Sequence, residues 1–138
     1  MKIAIEVKVQ ASRESVWQAW TTPSAIKQWN FASNDWCCPA AELDLQEGGH
    51  FKYRMQEADG ELGFDFTGTF TQIQPQQLIE FELGDGRSVS VEFTSNDQGT
   101  LVREVFEAED EDSAEQQRLG WLSILQNFKS FVENNNSA

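Results

Sequence analysis

Alternation of apolar and polar residues, two positions apart, is the most regular feature of this chain. In the opening segment from Lys2 to Gln10, positions 3, 5, 7 and 9 are all Ile or Val, and the positions between them are mostly charged. A period of two with β-branched residues is typical of a strand covered on one face. The sequence therefore predicts that the chain begins with a half-buried strand.

Two short helices are predicted directly after this strand. Ser12 is a preferred N-cap residue, and Val16 and Trp20 follow it at helical spacing. At Thr22-Pro23 a second cap residue precedes a proline suited to the first position of a helix. The apolar side of this second helix ends at Trp29.

The middle of the chain predicts an antiparallel meander. The segment from Asn30 to Ala41 shows no clear period and is predicted to be an irregular loop. Alternation returns from Glu42 onward, in runs separated by turn signals such as Asp59-Gly60 and Asp85-Gly86. Consecutive runs joined by such short turns predict hairpin-connected strands.

A long amphipathic helix is predicted from Ser113 to about Glu133, with an apolar stripe that includes Trp121 and Phe128. The fold class is thus α+β: one strand, two short helices, about six more antiparallel strands and a C-terminal helix. Since a curved sheet with one apolar face needs a cover, this helix is expected to supply it.

The size and composition of the chain indicate one globular unit. It has 138 residues, of which 39% are hydrophobic and 12% aromatic, too apolar for a disordered protein. We predict a single domain over residues 1–134 and a disordered tail over 135–138. The content of Trp and Phe also favours a homodimer that would cover part of these rings.

The charge of the chain argues against two kinds of partner. With 23 acidic and 10 basic residues, the net charge is −13, which repels nucleic acid and anionic membrane surfaces. No apolar run approaches the length of a membrane span, and Lys2 and Glu6 interrupt the N-terminus too early for a signal peptide. We expect a soluble, cytoplasmic protein.

Histidine and cysteine are scarce, so neither a metal site nor a cofactor is expected. His50 is the single histidine, and alternation places it on the outer face of its strand. The two cysteines, Cys37 and Cys38, are adjacent, and neighbouring cysteines rarely form a disulfide. We interpret them as reduced thiols, with a redox role as the alternative.

Several local patterns, in their order and spacing, carry a family resemblance that covers essentially the whole chain. They are Ala11-Ser12, Val16-Trp17, Thr22-Pro23, Trp29, Gly48-Gly49-His50-Phe51, Gly68-Thr69-Phe70, Ile73-Gln74-Pro75, Gly99-Thr100, Gly120-Trp121, Leu125 and Phe128. Together they resemble the START-like, helix-grip superfamily often called SRPBCC. The chain is most similar there to the family of the C-terminal domain of the activator of heat-shock protein 90 ATPase.

This resemblance implies a curved antiparallel sheet of about six to seven strands wrapped around the C-terminal helix. It also implies a cavity between sheet and helix, which such proteins use for hydrophobic small molecules. A few relatives are cyclases, such as polyketide cyclases, or hydrolases, and the family's namesake is a co-chaperone.

Glu104 is the residue that a simple packed core would least accommodate. In the strand from Leu101 to Glu107 both faces carry charge, and the family register points Val102, Glu104 and Phe106 inward. A buried carboxyl without a partner has a raised pKa, as a general acid or base requires. The alternative is a structural ion pair with Arg118 or Arg87, or escape of the carboxyl group to the mouth of the cavity.

Aromatic residues are predicted to line the cavity. Tyr53 is expected on the inward face, where its hydroxyl would either orient a ligand or bond to the backbone. Trp36 is expected to gate the entrance. The remaining predicted ligand-binding rings are those of Phe51, Phe64, Phe66, Phe70, Phe106, Trp121 and Phe128, with Phe81 also in the lining.

Three functions therefore remain open from the sequence. The chain binds a hydrophobic small molecule, or it is an enzyme of the cyclase or hydrolase type that uses Glu104 with Tyr53, or it docks to a protein such as a chaperone. The docking face in the third case would be the segment from Glu104 to Glu115, which has seven acidic residues and no basic one. The alternative is a solvated loop whose acids lie at the N-terminus of the next helix and favour its dipole. Hydrogen bonding between Glu104 and Tyr53 would favour the enzyme.

Overall fold

The computed structural model describes residues 1–60 and 62–135, and within these ranges it has seven strands and three helices. The strands are β1 (Lys2–Val9), β2 (Trp36–Leu43), β3 (His50–Glu57), β4 (Gly63–Gln74), β5 (Leu78–Leu83), β6 (Ser88–Asn96) and β7 (Gly99–Glu107). The helices are α1 (Arg13–Thr21), α2 (Pro23–Trp29) and α3 (Ala114–Asn135).

All seven strands belong to one antiparallel sheet, in the order β1-β7-β6-β5-β4-β3-β2. After β1, the two short helices carry the chain to the far edge of the sheet. It then returns strand by strand until β7 pairs with β1, placing Ile5 opposite Glu104. The predicted α+β class, the meander and the long C-terminal helix are confirmed.

The two short helices begin at the predicted caps. The Ser12 hydroxyl accepts a hydrogen bond from the backbone N–H of Ser15 at 3.1 Å, which satisfies one of the free donors of the first turn. Thr22 caps α2 without a side-chain hydrogen bond, and Pro23 occupies the first turn as predicted.

The prediction of an irregular loop from Asn30 to Ala41 is wrong for the second half of this segment, because β2 begins at Trp36. A bulge between Cys37 and Ala40 interrupts the pairing with β3, which hides the period of two in the sequence. Pro39 is tolerated since β2 is an edge strand, where one missing N–H removes no bond to a further strand.

Helix α3 lies over one side of the sheet. It packs most extensively against β1 and also contacts α2. Two polar contacts fix this position: Lys129 Nζ donates to the carbonyl of Lys8 at 2.7 Å, and Asn127 Nδ2 donates to the carbonyl of Trp29 at 3.0 Å. The helix continues to Asn135, the first residue of the predicted tail, and residues 136–138 lie outside the described part.

The aromatic content is largely covered within a single chain. All aromatic residues lie in the described ranges, and among them only Phe64 is exposed, at 52% of its surface. The reason given above for a homodimer therefore does not hold. No helix in residues 1–60 and 62–135 is long and apolar enough to cross a membrane.

Candidate functional site

A cavity of about 180 Å³ lies between the sheet and the helices. Its wall is mainly aromatic and aliphatic, with Glu104 as the one charged side chain among the described lining residues. The aromatic members are Trp20, Trp29, Phe51, Tyr53, Phe64, Phe66, Phe70, Phe81 and Trp121. The others are Thr21, Asn30, Leu43, Leu45, Met55, Ile79, Ile124 and Leu125.

The position of α3 explains why this space is not filled. Because the helix lies toward β1, large side chains must span the gap above the other half of the sheet, as Phe66 and Trp121 do with ring centroids 6.1 Å apart. The volume is below the roughly 300 Å³ of common ligand pockets, and close to the ~150 Å³ of an engineered apolar cavity that binds benzene. It fits a molecule of about one ring.

Glu104 is buried in apolar surroundings, with 6% of its surface exposed. Its strand neighbours are Ile5 on β1 and Val91 on β6, both buried. Among the described residues, none forms a hydrogen bond or ion pair with its carboxyl group. Burial raises the pKa of Glu104 to about 8, since nothing nearby compensates the lost hydration of the carboxylate. The inward register predicted for this strand is confirmed.

The arginines proposed as alternative partners of Glu104 bind other acids, so that alternative is wrong. Arg87 Nε lies 2.8 Å from Asp85, and its Nη2 lies 3.3 Å from Glu109. Arg118 pairs with Glu115 at 2.7 Å, one turn away on the surface of α3. Each arginine thus satisfies acids close to it and leaves the cavity uncharged apart from Glu104.

The acidic segment is also largely engaged within the chain. Besides these ion pairs, Glu107 accepts hydrogen bonds from the backbone N–H and the hydroxyl of Ser88. Asp110 accepts hydrogen bonds from the same two groups of Ser113. These bonds lower the pKa of both carboxyls. Four of the seven acids in the segment from Glu104 to Glu115 thus have partners within the chain, and a fifth, Glu104, faces inward.

Tyr53 faces the cavity, with its ring packed on Phe51 at 4.9 Å between centroids. Its hydroxyl forms no hydrogen bond with any described group, neither with the backbone nor with Glu104. Burial raises the pKa of this phenol well above its usual value. The pair of Tyr53 and Glu104 that would have favoured an enzyme is therefore not formed in the described structure.

Three of the predicted ligand-binding rings lie outside the cavity wall. Phe106 is fully buried beneath it and stacks on Trp121. Phe128 is taken up by the core, where it packs against Trp20 and Trp29. Trp36 lies beside the exposed Phe64, with ring centroids 6.2 Å apart. The other predicted residues, namely Phe51, Tyr53, Phe64, Phe66, Phe70, Glu104 and Trp121, all line the cavity.

The sequence did not point to the part of the wall that the short helices supply. Trp20 and Trp29 come from the ends of α1 and α2 and pack on each other, with 5.0 Å between their ring centroids. The indole N–H of Trp29 donates to the carbonyl of Ala19 at 3.0 Å, which fixes its orientation. The only signal was the presence of two tryptophans on the apolar sides of these helices.

The two cysteines and the histidine do not line the cavity, although Cys38 interacts with Tyr53 in its wall. Cys37 and Cys38 are both free, and Cys38 is buried, with its thiol donating to the carbonyl of Ala40 at 3.5 Å. Burial raises the pKa of the Cys38 thiol. His50 is exposed on the outer face, as predicted, and its Nδ1 lies 2.9 Å from the Thr69 hydroxyl. Residues 1–60 and 62–135 contain no cluster of three or more His, Cys, Asp or Glu side chains suited to a metal.

Comparison with known proteins gives one family match and many similar structures. The family model described as Activator of Hsp90 ATPase homolog 1-like protein matches residues 10–133. An AHSA1-like protein from Aeromonas hydrophila is 45% identical, with a TM-score of 0.93 over 98% of this chain and 94% of that one. A protein from Cytophaga hutchinsonii is 43% identical, with a TM-score of 0.83 over 97% and 93%.

More distant structures share the fold alone. A protein from Nitrosomonas europaea is 16% identical and superimposes with a TM-score of 0.86 over 98% of this chain and 96% of that one. No curated protein matches the chain.

Proposed function

The chain belongs to the family of Activator of Hsp90 ATPase homolog 1-like proteins, and we propose that its function is to bind a small apolar molecule of about one ring. The binding site is the cavity between the sheet and α3. The observation that carries this proposal is a space of about 180 Å³ with an aromatic wall and a single inward carboxyl.

The wall supports binding because most of it is already in place. Phe51, Phe70 and Ile79 are almost fully buried and held by neighbours in the core, so a ligand would not have to order them. Contact with such a preformed apolar surface favours binding through exclusion of water and dispersion. Phe64, exposed on one side and lining the cavity on the other, marks the side on which a ligand would enter.

Two observations favour binding over the other functions left open by the sequence. Glu104 and Tyr53 are not joined by a hydrogen bond, so no acid–base pair is assembled for a cyclase or hydrolase. Four acids of the segment from Glu104 to Glu115 are engaged with Arg87, Ser88, Ser113 and Arg118, which leaves less free charge for a basic protein partner.

The test is titration of the protein with toluene and with benzyl alcohol, followed by NMR. Saturable shifts confined to residues around the cavity are expected. Replacing Leu43, which lines the cavity, by Trp fills part of the space and should abolish these shifts. Ile73→Trp is the matched control, since Ile73 is also partly buried against the core but does not line the cavity. Absence of saturable binding by both probes would overturn the proposal.

A further inference from the structure

The wall of the cavity is electrostatically one-sided. Its described residues include one carboxyl group, that of Glu104, and no Lys, Arg or His. Buried carboxyl groups in proteins are normally paired or hydrogen-bonded, because an unpaired charge away from water is costly. Glu104 has no such partner among the described residues. A ligand with a positively charged hydrogen-bond donor would give the Glu104 carboxylate the partner that it lacks.

We propose that the molecule bound in this cavity is a protonated organic amine on a small apolar skeleton, with its ammonium group on the Glu104 carboxylate. This inference rests on the proposed function and names the chemical class of its ligand. The carboxylate supplies the charge-assisted hydrogen bonds, and the wall encloses the apolar part.

The aromatic wall suits a cation as well as an apolar ring. Trp20, Trp29, Tyr53 and Trp121 all line the cavity, and the faces of indole and phenol rings attract ammonium groups. Such attraction is stronger when the cation is desolvated, as it is in a buried site. A neutral ligand of the same shape would gain the apolar contacts but not this term.

The net charge of −13 acts in the same direction over a longer range. A strongly negative protein raises the local concentration of cations and speeds their association, whereas it repels carboxylate ligands. Of the charged molecules that fit the cavity, an amine is thus favoured before it reaches Glu104.

The proton balance of this binding step can be measured. In the empty cavity at pH 7 the Glu104 carboxyl is mostly protonated, since its pKa is about 8. An amine arrives protonated, so forming the ion pair releases the carboxyl proton to solvent. The affinity should rise about tenfold per pH unit up to about pH 8 and then level off. A ligand that accepts a hydrogen bond from the protonated carboxyl would show the opposite trend and weaken above this pH.

The experiment compares benzylamine with benzyl alcohol and toluene, by calorimetry between about pH 6 and 9. At pH 8 benzylamine should bind at least tenfold more tightly than benzyl alcohol. Glu104→Gln should lower the benzylamine affinity at least tenfold and change toluene binding less than twofold. Glu82→Gln, which removes the same charge from the exposed outer face of β5, should leave all three affinities unchanged.

Each other outcome contradicts a different claim. If toluene and benzyl alcohol bind and benzylamine binds no more tightly, the inference of an amine ligand is wrong and the proposed function stands. If no probe binds, both proposals fail. If Glu104→Gln does not fold, the wild-type protein still decides: benzylamine binding at pH 7 in buffers of different ionisation enthalpy should release close to one proton, and release of none overturns the inference.

Discussion

The ring of Phe106 lies nearly parallel to the indole of Trp121, with 4.2 Å between the centroids and 9° between the planes. This stack joins β7 to α3 two residues beyond Glu104. Since Trp121 also lines the cavity and packs on Phe66 of β4, the stack is one of the contacts that hold α3 above the sheet beside the carboxyl group.

Loss of this stack should lower the free energy of unfolding, and the effects of removing its two rings should not be additive. We expect Phe106→Leu and Trp121→Leu each to lower the free energy of unfolding, and a double-mutant cycle to give a coupling of about 0.5–1.5 kcal/mol. Urea unfolding of the four proteins measures it. The control cycle pairs Phe106 with Phe128, whose ring packs on Trp20 and Trp29, and should give no coupling. Equal coupling in both cycles would contradict a specific role for the stack.

The stability of the protein should fall as pH rises through the range in which Glu104 ionises. Its pKa is about 8 in the folded protein, against an ordinary value of 4.5, so between these values the folded state binds more protons than the unfolded state. Linkage then requires the free energy of unfolding to decrease with pH, by a total on the order of 4–5 kcal/mol. The decrease should begin near the ordinary value and end above pH 8.

Glu104→Gln isolates this contribution, because the other titrating groups are shared by both proteins. The free energies of unfolding of the two proteins, measured in urea, should change in parallel below about pH 4 and diverge up to about pH 8, with the variant gaining on the wild type. Parallel profiles over the whole range would show that Glu104 is hydrated or paired in solution.

Gly68 is required by the close approach of β4 to a cavity residue. A methyl group on Gly68 would come within 2.6 Å of two ring carbons of Phe51, which is itself packed against Phe70 and Phe81. We expect Gly68→Ala to cost about 1–3 kcal/mol by overpacking, and to shift the NMR signals of the cavity wall. Gly84→Ala is the control, since its nearest neighbour is 4.0 Å away, and should change stability by less than about 0.5 kcal/mol.

The two helix caps offer an internally matched comparison. Ser12→Ala removes the hydroxyl that accepts from Ser15 and should lower the free energy of unfolding by about 1 kcal/mol. Thr22→Ala removes a cap side chain that forms no such hydrogen bond, and should lower the free energy of unfolding by only a few tenths of a kcal/mol. Thermal and urea unfolding of both variants would check this order, and equal losses would refute it.

The sequence by itself determined that side chains of the alternating strands fall on two opposite faces. Alternation put Glu104 on the same face as Val102 and opposite to Arg103, because successive side chains of a strand point to opposite faces whatever the strand packs against. The family register then indicated the face of Glu104 as the buried one. The caps at Ser12 and Thr22 and the turns at Gly60 and Gly86 were likewise predictable, since their signals lie within a few residues. At β2 this local reasoning failed, because a bulge shifts the alternation.

Only the tertiary structure decided which buried side chains face a cavity and which face the core. Phe106 and Phe128 are as apolar and as inward as Phe51 and Phe70, yet the first two are covered by packed indoles and the last two line open space. The difference depends on where α3 lies across the sheet, and contacts with β1 and α2 far away in sequence fix that position. The absence of a partner for Glu104 among the described residues is likewise a result of the tertiary structure. Arg87 and Arg118 find acids close to them, and no periodicity in the sequence reveals that choice.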